Sequence, residues 1–185
     1  MYPVVLDGVS VLLREFRTSD AHAAYRWVGD PDAVRYVPLG PLDAAGAVDY
    51  VEQLVAEAKR DPRDAYTLAI VERATGEVVG SVALGVDSRA HRRAELGYIL
   101  RRDCWGRGYA TEAASLMIDF AFDQLGMNRV WAVCDPDNPG STRVLEKCAM
   151  TCEGRLREDL LVHGLWRDSL LYALVASSRS PGRYL

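Results

Sequence analysis

The chain has 185 residues, enough for one domain whose hydrophobic core needs neither a disulfide nor a metal to fold. Hydrophobic residues make up 49% and charged residues 26%, a balance typical of a globular protein. The net charge of −4 argues against a nucleic-acid-binding protein, and the lack of a long apolar run argues against a membrane protein.

Composition also bears on compartment and metal binding. Residues 1–14 lack a basic start followed by an apolar core, so the sequence predicts no secretion signal and a cytoplasmic location. The basic cluster at 89–93 is interpreted as a solvated loop, and no direct contact with nucleic acid is expected. Four cysteines show neither Cys-x-x-Cys nor zinc-ligand spacing, which predicts reduced, mostly buried thiols and no metal site: Cys104, Cys134, Cys148 and Cys152.

The first half of the chain predicts a strand, two helices and a hairpin. Residues 9–16 are rich in β-branched and aliphatic side chains, as in a strand. Helices are expected over 21–27 and over 43–59, the second with an apolar stripe at helical spacing. Residues 66–71 and 78–85 are strand-like and are joined by turn residues, which predicts an antiparallel hairpin.

The second half predicts four strands and two helices. The first helix follows a glycine loop at 105–108 and stops at Gly126; the second runs from Asn138 to Lys147, with Asn as its cap and proline in its first turn. The strands are expected at 94–100, 130–134, 151–157 and 166–175.

This order gives several antiparallel hairpins and a single βαβ crossover, which forces its two strands to be parallel. The predicted fold class is therefore α/β (α+β): one domain with a mixed, mostly antiparallel sheet flanked by helices. The domain is expected over 1–176, with a tail over 177–185.

The glycine loop is the most informative segment. Small residues at Gly106, Gly108 and Ala110 let the backbone approach a ligand closely. The free N–H groups and the positive dipole end of the following helix face an anion there. The pattern predicts a backbone cradle for a pyrophosphate, with Arg107 as a candidate for added charge, although glycine in such a turn also serves geometry alone.

Two familiar phosphate motifs do not fit the loop. A Walker-type loop requires a lysine, and none follows Gly108. A dinucleotide fold requires a third glycine, where this chain has Thr111, and an acidic residue about 20 residues further on. Asp135 lies too far along the chain for that role.

The run Trp105-Gly-Arg-Gly-Tyr-Ala-Thr-Glu-Ala113 resembles the acetyl-CoA loop of the GNAT superfamily of N-acyltransferases, and more narrowly its RimJ/RimL-like branch of ribosomal-protein N-terminal acetyltransferases. Trp105 stands where the superfamily has Gln or Arg, a departure that also occurs in this branch. Ala149 stands where the branch usually has glycine, so we expect a local backbone change there. The similarity covers nearly the whole chain, including 13–14, 19–20, 27–36, 75–81, 95–98, 138–147, 153–154 and 167–168.

The resemblance implies that the two parallel strands splay near Ile99 and Val133, so that the pantetheine arm of acetyl-CoA pairs with free backbone groups. The thioester then lies in the split, and an amine enters from the opposite side. The expected cofactor-binding residues are Tyr98, Ile99, Leu100, Trp105, Gly106, Arg107, Gly108, Tyr109, Ala110, Thr111, Asn138 and Ser141.

Two residues are candidates for catalysis. Glu95 is the candidate base, because strand alternation places it with Gly97 and Ile99 on the cleft face; the alternative is an ordinary surface glutamate. Ser141 resembles the family serine near the CoA sulfur; the alternative is a polar residue of the first helical turn. Three aromatic residues are either core or acceptor pocket: Trp27, Tyr36 and Tyr50.

These inferences predict an acetyl-CoA-dependent N-acetyltransferase that uses direct amine attack in a ternary complex, on a protein N-terminus or a small amine. The alternatives are a non-catalytic acyl-CoA-binding module and an acyltransferase that uses another acyl-CoA, such as succinyl-CoA. A homodimer is an expectation from the resemblance alone.

Overall fold

One mixed sheet of eight strands organises residues 1–179, which are the residues that the computed structural model describes. The strands lie in the order β1-β2-β3-β4-β5-β6-β8-β7, with β5 and β6 parallel and the other neighbours antiparallel. They are β1 (Val5–Asp7), β2 (Val11–Glu15), β3 (Ala65–Glu72), β4 (Val78–Ser88), β5 (Arg93–Leu100), β6 (Arg129–Cys134), β7 (Thr151–Val162) and β8 (Leu165–Val175).

Within residues 1–179, four α-helices flank this sheet, and none combines the length and apolar character needed to cross a membrane. The helices are α1 (Ala21–Val28), α2 (Ala44–Glu57), α3 (Tyr109–Asp123) and α4 (Pro139–Lys147). The predicted fold class, a single α/β (α+β) domain with a mixed, mostly antiparallel sheet, is confirmed.

The start of the sheet differs from the prediction. Instead of one strand over 9–16, the structure has β1 and β2, joined by a turn in which the Gly8 N–H donates to the carbonyl three residues on at 3.0 Å. Val9 lies on this turn with 91% of its surface exposed. The Glu112 carboxylate of α3 accepts the Ser10 N–H at 2.9 Å. The turn is therefore held by a contact distant in sequence, which the β-branched pattern does not reveal.

The sheet separates two hydrophobic cores. Helices α3 and α4 cover one face, and α1 and α2 cover the other, where Trp27 is fully buried. Strand β5 serves both cores because its side chains alternate. Leu96 and Leu100 pack on the α3–α4 face, and Ile99 packs on the α1–α2 face.

The two parallel strands separate partway along their length. Their pairing begins at Arg93 with Arg129 and ends at Glu95 with Trp131. Beyond that level, β5 continues to Leu100 on its β4 partner, while β6 continues on its β8 partner. The sheet is therefore split from Glu95 onward, as the splayed strands of the predicted fold require.

Helix α4 is followed, two residues after Lys147, by an alanine in a conformation that glycine favours. Ala149 has φ +60°, its N–H donates to the Glu146 carbonyl at 3.0 Å, and the Met150 N–H donates to the Leu145 carbonyl at 3.1 Å. This pair of bonds is a Schellman motif, which places a left-handed residue after the helix. The expected local backbone change is therefore not seen. Ala149 adopts the left-handed conformation that a glycine would take at this position, and its side chain makes that conformation strained.

We expect Ala149→Gly to raise the free energy of unfolding by about 1 kcal/mol, because a Cβ in the left-handed region costs roughly 1–2 kcal/mol. Urea denaturation of both proteins measures the change. Ala56→Gly on the exposed side of α2 is the matched control, and there the same exchange should destabilise by about 1 kcal/mol. Destabilisation by Ala149→Gly would contradict the strain argument.

The chain after β8 packs against α3 as far as it is described. Residues Ala176–Ser178 form one 3₁₀ turn. The Arg179 guanidinium donates to the carboxylates of Asp119 at 2.6 Å and Asp123 at 2.7 Å. Residues 177–179 of the predicted tail are thus attached to the domain, and residues 180–185 lie outside the described part.

Candidate active site

A cavity of about 600 Å³ fills the split between β5 and β6 and extends to the start of α3. Its walls come from the ends of the two strands, the 104–111 loop and the first turns of α4. The predicted cofactor-binding residues that line it are Tyr98, Ile99, Leu100, Trp105, Gly106, Gly108, Tyr109, Ala110, Thr111, Asn138 and Ser141. The structure therefore brings these residues together around one space.

The glycine loop places the bare N-terminus of α3 at one end of the cavity. Gly108 is the residue that precedes the helix, with φ +86°, and no side chain caps the first turn. Gly106 also has a positive φ, +76°. Apart from its chain neighbours, a Cβ at either glycine would meet no atom of residues 1–179 within 4 Å. The first N–H groups of α3 are thus free for an anion, and the space next to the glycines is open.

Glu72 at the end of β3 anchors the glycine loop and does not itself line the cavity. Its buried carboxylate accepts hydrogen bonds from the Tyr109 hydroxyl and, at 2.7 Å, from the Thr75 hydroxyl. These hydrogen bonds, of which the one from Tyr109 has the largest effect, hold the pKa of Glu72 below its usual range. The Arg107 guanidinium lies 3.4 Å from the same carboxylate and does not line the cavity. The Arg107 charge therefore points to Glu72 and away from the cavity, whereas the other predicted cofactor-binding residues line the cavity.

The backbone of β5 presents alternate residues to the split. The Arg101 N–H donates to the Val79 carbonyl of β4 at 2.8 Å. In an antiparallel pair every second residue bonds to the same neighbouring strand, so the backbone groups of Ile99, two residues earlier, also face β4. The backbone groups of Tyr98 and Leu100 then face the split. The Leu100 carbonyl accepts the Trp105 indole N–H at 3.0 Å. This leaves the Leu100 N–H and both backbone groups of Tyr98 directed at the cavity.

The first turn of α4 forms the opposite wall. Asn138 caps the helix as predicted, because its side-chain oxygen accepts the Ser141 N–H at 3.1 Å. The Ser141 and Tyr98 hydroxyl oxygens lie 2.8 Å apart. Burial raises the pKa of Tyr98 well above its ordinary value, so its phenol stays protonated.

Glu95 lies at the bottom of the split, where β5 and β6 last pair. Its side chain is solvent-exposed and does not line the cavity. Partial loss of hydration raises its pKa, and the negative charges of Asp87 and Asp159 raise the pKa further. A carboxylate with a raised pKa is better matched to accept a proton near neutral pH.

Several cavity residues carry no motif and were missed by the sequence analysis. Arg143 and Lys147 of α4 line the cavity and supply positive charge there. Their i, i+4 spacing places them on one side of the helix that Asn138 caps, and this spacing could have identified them from the sequence. Of the aromatic candidates, Trp27 is core, Tyr50 packs against the α1–α2 core, and Tyr36 lines the cavity. The Tyr36 hydroxyl donates to the Asp137 carbonyl at 3.0 Å and so bridges two walls.

A split pair of parallel strands that leads to an uncapped helix N-terminus defines a class of proteins that bind an anionic cofactor mainly through backbone groups. Comparison with known protein families identifies the class. The family described as Acetyltransferase (GNAT) domain matches residues 10–151, so the chain belongs to the GNAT acetyltransferase family.

Similar proteins support the same assignment. The chain is 30% identical over 164 residues to Uncharacterized N-acetyltransferase p20 of Bacillus licheniformis, covering 88% of this chain and 91% of that protein. It is 26% identical over 181 residues to Spermidine N(1)-acetyltransferase of Escherichia coli K12, covering 95% and 94%. Among solved structures, Mycobacterium smegmatis RimJ in complex with CoA-disulfide superimposes with a TM-score of 0.79 and 30% identity, covering 95% of this chain and 86% of that one.

Proposed function

We propose that the chain is an acetyl-CoA-dependent N-acetyltransferase of the RimJ/RimL-like branch, which acetylates a primary amine by direct attack within a ternary complex. The observation that carries the proposal is the split beyond Glu95 and Trp131, which opens into a cavity that ends at the bare N-terminus of α3. Acetyl-CoA supplies the activated acyl group as a thioester.

The residues of the cavity fit this cofactor. Open space beside Gly106 and Gly108 accommodates a pyrophosphate against the amides of the first α3 turn, Tyr109 to Thr111. The free backbone groups of Tyr98 and the Leu100 N–H suit an amide-bearing arm. Arg143 and Lys147 add the positive charge that the sequence analysis assigned to Arg107. In this proposal Arg107 contributes its backbone and Asn138 holds the first turn of α4.

The protein groups divide the chemistry between them. Glu95, directly or along a water path into the cavity, accepts the proton of the attacking amine, since an α-amino group with a solution pKa near ~7.7–8.0 is largely protonated at neutral pH. The Leu100 N–H stabilises the negative charge on the carbonyl oxygen, and one such donor contributes about 3–4 kcal/mol. The neighbouring Ile99 N–H does not suit this role because the Ile99 backbone groups face β4. Ser141 donates a hydrogen bond to the leaving sulfur.

A cationic small amine is favoured as acceptor over an uncharged one. The negative charges of Asp87 and Asp159 both act on Glu95. Arg93 pairs with Asp87 at 2.7 Å, which leaves Glu95 and Asp159 to attract a positive ligand. The similarity to a spermidine acetyltransferase points the same way. A protein N-terminus is the second candidate, on the similarity to RimJ. The cytoplasmic location, a homodimer and the lack of direct nucleic-acid contact stay predictions.

The proposal is tested by incubating the protein with acetyl-CoA and an amine panel, with thiol release and product mass as readouts. The panel holds polyamines, N-terminal peptides and an uncharged aryl amine, and succinyl-CoA replaces acetyl-CoA in parallel. We expect a mass gain of one acetyl group on at least one cationic amine. Calorimetric binding of CoA with no thiol release for any amine would instead support a non-catalytic binding module, and turnover with succinyl-CoA alone would change the acyl group.

A further inference from the structure

Two hydroxyl groups from opposite walls of the cavity meet in the structure. Tyr98 comes from β5 and Ser141 from the first turn of α4, 43 residues apart in the chain. The Tyr98 hydroxyl oxygen lies 2.8 Å from the Ser141 hydroxyl oxygen and 3.2 Å from the Ser141 carbonyl oxygen. Both residues line the cavity and are partly buried. The cap at Asn138 holds the Ser141 backbone in place, because its side-chain oxygen accepts the Ser141 N–H.

The two protons of this pair can be arranged in two ways. In one, Ser141 donates to Tyr98 and Tyr98 donates to the Ser141 carbonyl, which leaves no proton for a ligand. In the other, Tyr98 donates to the Ser141 hydroxyl oxygen, and the serine proton is free to point into the cavity. An acceptor in the cavity disfavours the first arrangement, in which no proton reaches it, and favours the second, which keeps the 2.8 Å hydrogen bond between the two hydroxyls.

We propose that Tyr98 is a positioning residue that donates to Ser141 and thereby directs the serine proton at the sulfur of the departing CoA. This inference rests on the proposed function. It adds a side-chain role to Tyr98, which the sequence analysis assigned to backbone contacts alone.

The step balances without ionising either hydroxyl. The amine nitrogen forms a bond to the acetyl carbon, the carbon–sulfur bond breaks, and its electron pair goes to sulfur. The amine proton passes to Glu95. A thiol, with a pKa near ~8.5, is a much stronger acid than a serine hydroxyl or a phenol whose pKa is raised by burial. The pair therefore keeps both protons and stabilises the thiolate by hydrogen bonding.

The binding of free CoA offers a readout that does not depend on turnover. The thiolate absorbs in the short-wavelength ultraviolet much more strongly than the thiol, so a pH difference titration of the complex gives the ionisation constant of the bound thiol. A hydrogen bond to a charged group contributes about 1.5–3 kcal/mol, which corresponds to roughly a tenfold to hundredfold change in that constant. We expect Tyr98→Phe to lower the ionisation constant of the bound thiol about tenfold, with little change in CoA affinity at pH 6, where the thiol is neutral.

The double mutant separates action through Ser141 from an independent effect. Ser141→Ala should lower the constant at least as much as Tyr98→Phe, and adding Tyr98→Phe to Ser141→Ala should change it no further. With the preferred amine, Tyr98→Phe should lower kcat about tenfold and leave KM for acetyl-CoA nearly unchanged. Tyr172→Phe is the matched control: its hydroxyl is 3.5 Å from Glu146, its side chain is buried, and it does not line the cavity. It should leave both readouts at wild-type values.

The outcomes distinguish the inference from the proposed function. A wild-type ionisation constant in Tyr98→Phe, or a further change when it is added to Ser141→Ala, would overturn the role of Tyr98 even if the protein acetylates amines. A wild-type protein that neither binds CoA nor releases thiol would overturn the proposed function itself. Urea denaturation of each variant identifies any that fails to fold, in which case Ser141→Thr, which keeps a hydroxyl, tests the same pair.

Discussion

Gly108→Val should abolish CoA binding in calorimetry, with an expected loss of at least about 100-fold in affinity. Gly108 lies at φ +86° directly before α3, and its missing side chain leaves open the space beside the first helical amides. A valine there fills that space and moves the backbone, so the anion loses its hydrogen bonds. Two lost hydrogen bonds to a charged group amount to roughly 3–6 kcal/mol, more than enough for a 100-fold effect.

The control for this variant lies at the other end of the same helix. Gly126 also has a positive φ, +64°, and a Cβ there would likewise meet no atom of the described residues within 4 Å, its chain neighbours aside. Gly126→Val should therefore carry a similar cost in stability, about 1–3 kcal/mol, yet bind CoA like the wild type. Wild-type CoA affinity in Gly108→Val would exclude the start of α3 as the cofactor site.

Glu95→Gln should lower kcat by about 100-fold or more at neutral pH, the range in which a general base contributes. Glutamine occupies the same strand position and has nearly the same side-chain volume as glutamate, so the affinity for CoA should not change. In the wild type, activity should fall as the pH drops through the raised pKa of Glu95, because protonation removes the base. The variant should lose that acidic limb and gain activity only as the amine itself deprotonates.

A neighbouring carboxylate provides the electrostatic control. Asp159 raises the pKa of Glu95 through its charge. Asp159→Asn should therefore shift the acidic limb of the pH–rate profile to lower pH while kcat at its plateau stays near the wild-type value. Identical pH profiles for the wild type and Glu95→Gln would remove Glu95 from the mechanism.

Local signals made much of this molecule predictable. The glycine loop before α3, the cap at Asn138 and the alternation of β5 depend on residues within a few positions of one another, so the sequence indicates them directly. The fold class followed from the order of the predicted strands and helices, because a single crossover helix between two strands admits few topologies.

The remaining features depend on contacts between distant segments. The sequence offers no sign that Arg107 faces Glu72, 35 residues away, instead of the cavity. The same holds for the meeting of Tyr98 with Ser141. The first contact depends on the loop before α3 passing the end of β3, and the second on α4 lying beside β5, so neither is encoded in a local pattern.

The Glu72 carboxylate has a consequence for the strength of cofactor binding. Because Tyr109 and Thr75 already donate to it, the shape of the loop before α3 is fixed in the free protein. A ligand that arrives at a prearranged site loses little free energy to ordering it, so more of the contact energy is expressed as affinity. Loosening this anchor with Glu72→Ala should weaken the complex chiefly through a less favourable binding entropy, although Glu72 itself does not line the cavity.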